Sequence, residues 1–227
     1  MANALFVALD TADLTLALRL ARETRAFVGG FKVGLELFGA HGPDGVRRVA
    51  DMGLPVFLDL KLHDIPNTVG KAVAALEPLS PALLTVHAGG GEAMLAAAKA
   101  AAATGTKVVA VTMLTSLDAD DLLATGVDGE AGEHVARLAA LARRAGLDGI
   151  VCSGAEVAAR RADWPDGALV VPGLRPDGGE VGDQKRTVSP ARAIADGATV
   201  LVVGRPISAA PDPAAAARTI AESLAGR

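Results

Sequence analysis

A chain of 227 residues that is 51% hydrophobic but only 3% aromatic, with no tyrosine, has apolar mass enough for a sizeable core of Ala, Val and Leu, which excludes a disordered polymer. Its formal net charge of −4 leaves no basic footprint, and its few rings offer little for stacking bases, so no nucleic-acid partner is expected. No apolar stretch approaches the roughly 18 residues needed to span a bilayer, and no charged leader precedes the first apolar run, so a soluble cytoplasmic protein without membrane contact is expected.

In chain order, the apolar run 5–9 reads as a strand that stops at Asp10, and an Ala/Leu-rich segment of helical period follows over 14–24. The same alternation then repeats. Strands are expected at 31–33, 56–60, 83–86, 108–112, 149–152, 169–171 and 200–203. Helices are expected at 44–51, 68–76, 92–103, 132–145, 155–162 and 190–195, with a last one over 213–224. Strands apolar on both faces and separated by helices imply a parallel sheet covered by helices. Eight such units in this length predict an α/β protein with one domain, a (β/α)8 TIM barrel, since such barrels run about 200–250 residues. A doubly wound open sheet is the alternative, weakened because no Gly-x-Gly-x-x-Gly follows the first strand.

The longest irregular stretch, residues 172–187, carries Gly173, Pro176, Gly178, Gly179 and Gly182. Its length and its place after the seventh strand predict a mobile lid over the active-site face. The lone Cys152 can form no intrachain disulfide, and its run Gly149-Ile150-Val151-Cys152 predicts core packing.

Polar groups collect where the strands end. Asp10 ends the first strand, Lys32 lies in the second, Asp59 and Lys61 end the third, and His87 ends the fourth. Thr112 and Thr115 follow the fifth, Ser153 the sixth, Arg175 the seventh, and Gly204-Arg205 the eighth. In a barrel all of these converge on one rim, where barrel active sites form. Residues 59 and 61 share a strand face by period two, which sets a carboxylate beside an ammonium. A structural ion pair explains those two alone. Four charges of alternating sign from Asp10, Lys32, Asp59 and Lys61 exceed what a structural pair needs.

The run Asp59-Leu60-Lys61-Leu62-His63-Asp64-Ile65 resembles the Asp-x-Lys-x-x-Asp-Ile signature of the orotidine 5′-monophosphate decarboxylases, bacterial type. The resemblance extends through Val7-Ala8-Leu9-Asp10, Phe31-Lys32-Val33-Gly34, Thr85-Val86-His87-Ala88-Gly89-Gly90, Leu114-Thr115-Ser116, Val151-Cys152-Ser153, Pro172-Gly173-Leu174-Arg175-Pro176, Asp183-Gln184-Lys185-Arg186 and Val203-Gly204-Arg205-Pro206-Ile207. Leu174, where Ile is common, is a mild departure at an apolar position.

That resemblance implies decarboxylation of orotidine 5′-monophosphate, the last step of de novo UMP synthesis, without cofactor or metal. Lys61 would protonate C6 of the pyrimidine, with Asp59 against the departing carboxylate and Lys32 and Asp64 completing a Lys-Asp-Lys-Asp array. Asp64, Ile65 and Thr68 would enter the neighbour's site in a homodimer with shared active sites. Asp10 and Thr68 would hold ribose hydroxyls, Thr115 would lie near the ribose, and Ser153 would read the pyrimidine amide. Gly204 and Arg205, with Gln184 and Arg175 from the lid, would grip the phosphate.

Bland readings stand beside some of these. Ser153 could also cap the helix expected from 155, Arg205 could form a surface salt bridge, and Gln184 could be a solvated loop residue. His87 reads as a hydrogen-bonded barrel residue rather than a catalytic acid. His41, His63 and His134 read as surface or packing residues. The alternative function is a Mg-dependent sugar-phosphate decarboxylase or lyase of the same barrel superfamily. Such relatives carry an acidic metal ligand in the second strand, where this chain has Lys32. A non-catalytic phosphate-binding barrel would retain Arg205 but has no use for Asp59, Lys61 and Lys32 together.

Overall fold

Each expected β-branched run is a strand in the computed structural model, which describes residues 3–174 and 188–225. The strands are β1 (Leu5–Ala8), β2 (Gly30–Val33), β3 (Val56–Leu62), β4 (Leu83–His87), β5 (Lys107–Val111), β6 (Gly149–Val151), β7 (Ala168–Val171) and β8 (Val200–Val203). They pair in sequence order, all parallel, and β8 returns to β1 through Leu5↔Leu201, Phe6↔Val202 and Val7↔Val203. The sheet is a closed barrel, which leaves no edge and rules out the doubly wound alternative.

Around it run α1 (Leu14–Thr24), α2 (Leu35–Ala50), α3 (Pro66–Ala75), α4 (Gly91–Ala101), α5 (Ala119–Ala124), α6 (Ala131–Arg144), α7 (Val157–Asp163), α8 (Pro190–Ala195), α9 (Arg205–Ser208) and α10 (Pro213–Ala225). Among the described residues no helix is long and apolar enough to cross a membrane.

Strand parity separates two apolar layers. Val7, Leu58, Leu84, Ile150, Leu169 and Leu201 point outward and pack against the helices. Phe6, Ala8, Phe57, Leu83, Val109, Val170 and Val202 fill the barrel interior. Cys152 is buried in the core, as its apolar run predicts, at the point past β6 where the core meets the rim. The interior layer is the floor on which the rim charges stand, because Lys32 and Asp59 lie two residues beyond Gly30 and Phe57 on the inward face.

Several boundaries differ from expectation. Helix α2 begins at Leu35 rather than 44, with a kink at Gly42 (φ 54, ψ −149) ahead of Pro43. Gly39, Gly42 and Pro43 lower the helical propensity of its first half, and packing of Leu37 and Phe38 overrides that local preference. Helix α5 was not expected. A capping box between Asp118 and Asp121 starts it, and Leu122 anchors it to the core. The short α9 after Gly204 was not among the expected helices either. Strand β3 runs to Leu62 rather than 60, and α7 starts at Val157 rather than 155.

Candidate active site

The carboxyl rim of the barrel surrounds a cavity of about 480 Å³ with an apolar floor that includes Phe57, Val111, Val151, Val170 and Val202. Asp10, Lys32, Asp59, Lys61, Thr115, Gly204 and Arg205 all line it. Seven of the residues predicted from strand-end position are therefore brought to one cavity.

The charges form a ladder. Lys32 Nζ lies 2.7 Å from Asp10 Oδ1 and 3.6 Å from Asp59 Oδ2. Lys61 Nζ lies 2.8 Å from the same Asp59 oxygen. Lys32 and Asp59 are each only 7% exposed, and their mutual contact and hydrogen bonds offset part of the cost of burying two charges. Within one chain the ladder reads Asp10–Lys32–Asp59–Lys61, with Asp10 at the end where the Lys-Asp-Lys-Asp expectation has no member.

Thr85, on β4, holds the centre of the ladder and was given no role from sequence. Its Oγ1 donates to Asp59 Oδ1 at 2.9 Å and accepts the Lys61 backbone N–H at 2.8 Å. The available signal was a polar residue at inward parity between Leu84 and Val86. Lys61 itself sits at φ 51, in the left-handed region, where the β3–β4 register shifts between Leu58 and Leu62. Simple alternation correctly put Asp59 and Lys61 on one face, but a bulge aims the lysine. A non-glycine residue held in that region is strained, and the Thr85 hydrogen bond helps to fix it.

Gly34 makes room for the ladder. A Cβ at this position would lie 2.7 Å from both Asp10 Oδ1 and Lys32 Nζ. Both atoms are ends of flexible side chains, so Gly34→Ala should fold but push the two charges apart. The expected result is a melting temperature within a few degrees of the parent and a loss of turnover of about tenfold or more, if the separation costs about 1.4 kcal/mol in the transition state. Unchanged kinetics would show that the Asp10–Lys32 contact is dispensable.

The predicted residues not in this cavity are as informative. Asp64, Ile65 and Thr68 are exposed and do not line it. Asp64 Oδ1 accepts the N–H of Ile65 at 2.6 Å, and Ile65 is 65% exposed. Ser153 is buried at 1% exposure beside Cys152 and is not among the lining residues. It does not cap α7, whose N-cap is Glu156; its N–H and hydroxyl both donate to the Glu156 carboxylate. Arg175 and Gln184 lie outside the described residues, as does most of the expected lid; Pro172 and Gly173 at its start line the cavity.

His87 departs from its expectation. Its Nδ1 is buried with no hydrogen-bond partner among the described residues. The ring stacks on His63 with centroids 5.2 Å apart and planes 15° from parallel. Burial, then the neighbouring His63 and Lys61, push its pKa below the usual histidine value, so it is a neutral packing group at neutral pH. His41 bonds the Ala12 carbonyl at 2.7 Å on the outer surface.

Fold and rim together define a (β/α)8-barrel enzyme with a charge-alternating site over an apolar floor. Residues 3–220 match the Orotidine 5'-phosphate decarboxylase / HUMPS family. Orotidine 5'-phosphate decarboxylase of Sphingopyxis alaskensis is 59% identical over 224 residues, covering 99% of this chain and 100% of that protein. The protein of the same name from Erythrobacter litoralis is 58% identical with the same coverage. A crystal structure of orotidine 5'-phosphate decarboxylase from Lactobacillus acidophilus superposes with a TM-score of 0.85 at 36% identity, covering 98% of this chain and 99% of that one. The chain belongs to the orotidine 5'-phosphate decarboxylase / HUMPS family.

Proposed function

We propose that this protein decarboxylates orotidine 5′-monophosphate to uridine 5′-monophosphate, in pyrimidine biosynthesis, using only its own side chains. The observation that carries the reading is the ladder in which Asp59 Oδ2 lies 2.8 Å from Lys61 Nζ and 3.6 Å from Lys32 Nζ. In the reaction the C6–carboxylate bond breaks and its electron pair remains in an sp² orbital on C6. No neighbouring π-system accepts that pair, so stabilisation must be electrostatic. Lys61 faces the developing carbanion, gives C6 a proton as carbon dioxide leaves, and regains one from water.

The magnitudes rank the two charges. At an effective dielectric near 20, unit charges about 4 Å apart interact by about 4 kcal/mol. Repulsion between Asp59 and the substrate carboxylate can therefore contribute up to about a thousandfold in rate. Attraction to Lys61 grows as charge localises on C6, which is differential binding of the transition state, and it ranks first. Thr85 keeps Asp59 in place while this happens.

The other roles follow the family resemblance. Asp10 holds a ribose hydroxyl, with Thr115 nearby, and Ser153 reads the pyrimidine amide. Gly204 and Arg205 grip the phosphate at the start of α9, aided by Arg175 and Gln184, an arrangement suited to a dianion after the eighth strand of a barrel. Asp64, Ile65 and Thr68 complete the site of a neighbour in a homodimer. That their side chains stand exposed outside their own cavity supports this assignment. A cytoplasmic location fits a biosynthetic enzyme acting on a soluble nucleotide.

Incubation with orotidine 5′-monophosphate should release carbon dioxide with loss of the orotate absorbance, and activity should survive exhaustive chelation. Lys32 already neutralises Asp10 and Asp59, so a divalent ion placed there would meet its ammonium. A strict Mg²⁺ requirement would transfer the protein to the enediolate chemistry of its barrel relatives.

Arg205→Ala tests the phosphate grip. Binding of the nucleotide should weaken at least tenfold while binding of phosphate-free orotidine stays nearly unchanged, because a charge-assisted contact contributes about 1.5–3 kcal/mol. Equal weakening of both ligands, measured by titration calorimetry, removes Arg205 from the phosphate site.

A further inference from the structure

One buried acid close behind the lining of the site takes no part in the charge ladder. Glu156, between β6 and α7, is 9% exposed. Its Oε2 accepts the Ser153 N–H at 2.8 Å and also the Ser153 hydroxyl, while its own N–H donates to the Ser153 carbonyl at 3.2 Å. The two residues thus close a tight turn held by three hydrogen bonds. The same carboxylate oxygen accepts both donors, the Ser153 N–H and the Ser153 hydroxyl, whose proton is directed onto it.

A free serine hydroxyl both donates and accepts, and it rotates to suit its partner. Ser153 has lost that choice. Its single hydroxyl proton is committed to Glu156, and Oγ retains only lone pairs. Val151 and Cys152 line the cavity, and Ser153 follows them directly, buried just behind that lining past the end of β6. We propose that Glu156 is a positioning residue that makes Ser153 a pure acceptor and so sets the preference of this site for a pyrimidine with an N–H at ring position 3. This rests on the base contact assigned to Ser153 in the functional reading above. A uracil-type ring presents that N–H and satisfies the oxygen. A cytosine-type ring presents a bare nitrogen, so two lone pairs face each other in a desolvated place. Sites built around one buried hydrogen bond reject the mismatched ligand strongly, because the polar groups of the site are then left unpaired.

The test compares the Kd of uridine 5′-monophosphate with that of cytidine 5′-monophosphate, with ribose 5-phosphate as a control for the phosphate end. Glu156→Ala should lower the preference for the uridine nucleotide at least tenfold and leave ribose 5-phosphate affinity unchanged. Glu156→Gln, which keeps a carbonyl acceptor, should retain the preference to within about threefold, as expected when one oxygen accepts both donors. Glu156→Met, which fills similar volume without an acceptor, serves if the alanine variant does not fold, and should show the same loss as alanine. In a Ser153→Ala background, removing Glu156 should change the preference no further.

An unchanged preference, equal weakening of all three ligands, or an undiminished effect of Glu156 in the Ser153→Ala background would overturn the proposal. So would failure of both the alanine and methionine variants to fold, which would mark Glu156 as purely structural. If Ser153→Ala alone leaves the preference intact, the base contact fails and the proposal with it, while decarboxylation stands. If the parent protein neither binds uridine 5′-monophosphate nor decarboxylates its precursor, the functional reading itself fails.

Discussion

Lys61→Ala should abolish decarboxylation while the barrel stays folded. The lysine side chain is a third exposed at the end of β3, so little core packing depends on it. Its removal does not orphan Asp59, which keeps the Thr85 hydroxyl at 2.9 Å and the Lys32 ammonium at 3.6 Å. The left-handed backbone at position 61 is strained for alanine as for lysine, so that strain is unchanged to first order. The proposed chemistry, by contrast, loses both its proton donor and the cation assigned to face C6. General acid catalysis alone contributes about 10²–10⁴-fold, and preorganised charge contributes more, so a loss beyond about ten-thousandfold is expected. Turnover followed by the orotate absorbance, with a melting curve and product affinity as controls, decides it. Substantial residual decarboxylation by a folded Lys61→Ala protein would remove the lysine from the role of proton donor.

The second large effect tests the shared site. Asp64 lies past the end of β3, is exposed, and does not line the cavity of its own chain. Beside it Ile65 is 65% exposed, an apolar side chain that gains by being covered. If a two-fold partner receives this segment, each site takes Lys61 from one chain and Asp64 from the other. Lys61→Ala and Asp64→Ala proteins, each inactive alone, should then complement when their subunits exchange. In the mixed dimer one site carries both lesions, and the other has an intact lysine and an intact aspartate. Random pairing makes about half of the dimers mixed, so activity should recover to roughly a quarter of the parent value. If Asp64 acted within its own chain, every site would keep one lesion. Subunit exchange confirmed by mass, without recovered activity, would end the shared-site assignment and leave the decarboxylase reading in place.

Much of this protein is legible along the chain. Apolar runs of strand length alternate with segments of helical period, and that local pattern survives in all eight strands because each is buried on both faces. The charges at positions 10, 32, 59, 61 and 205 were legible for the same reason. They interrupt apolar runs at points where the chain must leave the sheet, and parallel strands bring all such points to one rim. The sequence by itself therefore determined the barrel class and the cavity-lining charges.

The tertiary structure decided what depends on partners distant in sequence. Thr85 became the clamp on Asp59 only because β4 lies beside β3 and offers a hydroxyl at the right height, 26 residues away. The bulge that aims Lys61 arises from a register shift between two strands, which no single-strand pattern encodes. Helix α2 starts early because Leu37 and Phe38 pack against the core, against the local preference of its glycines and proline. Ser153 was read as a helix cap or a base contact from its place after β6, yet the hydrogen-bonding role open to it is fixed by the Glu156 carboxylate folded back onto it. Periodicity is set by the few residues of one turn or one strand, and sequence carries it directly. Hydrogen-bond partners are set by closure of the barrel and by register, and these exist only once all eight strands have met.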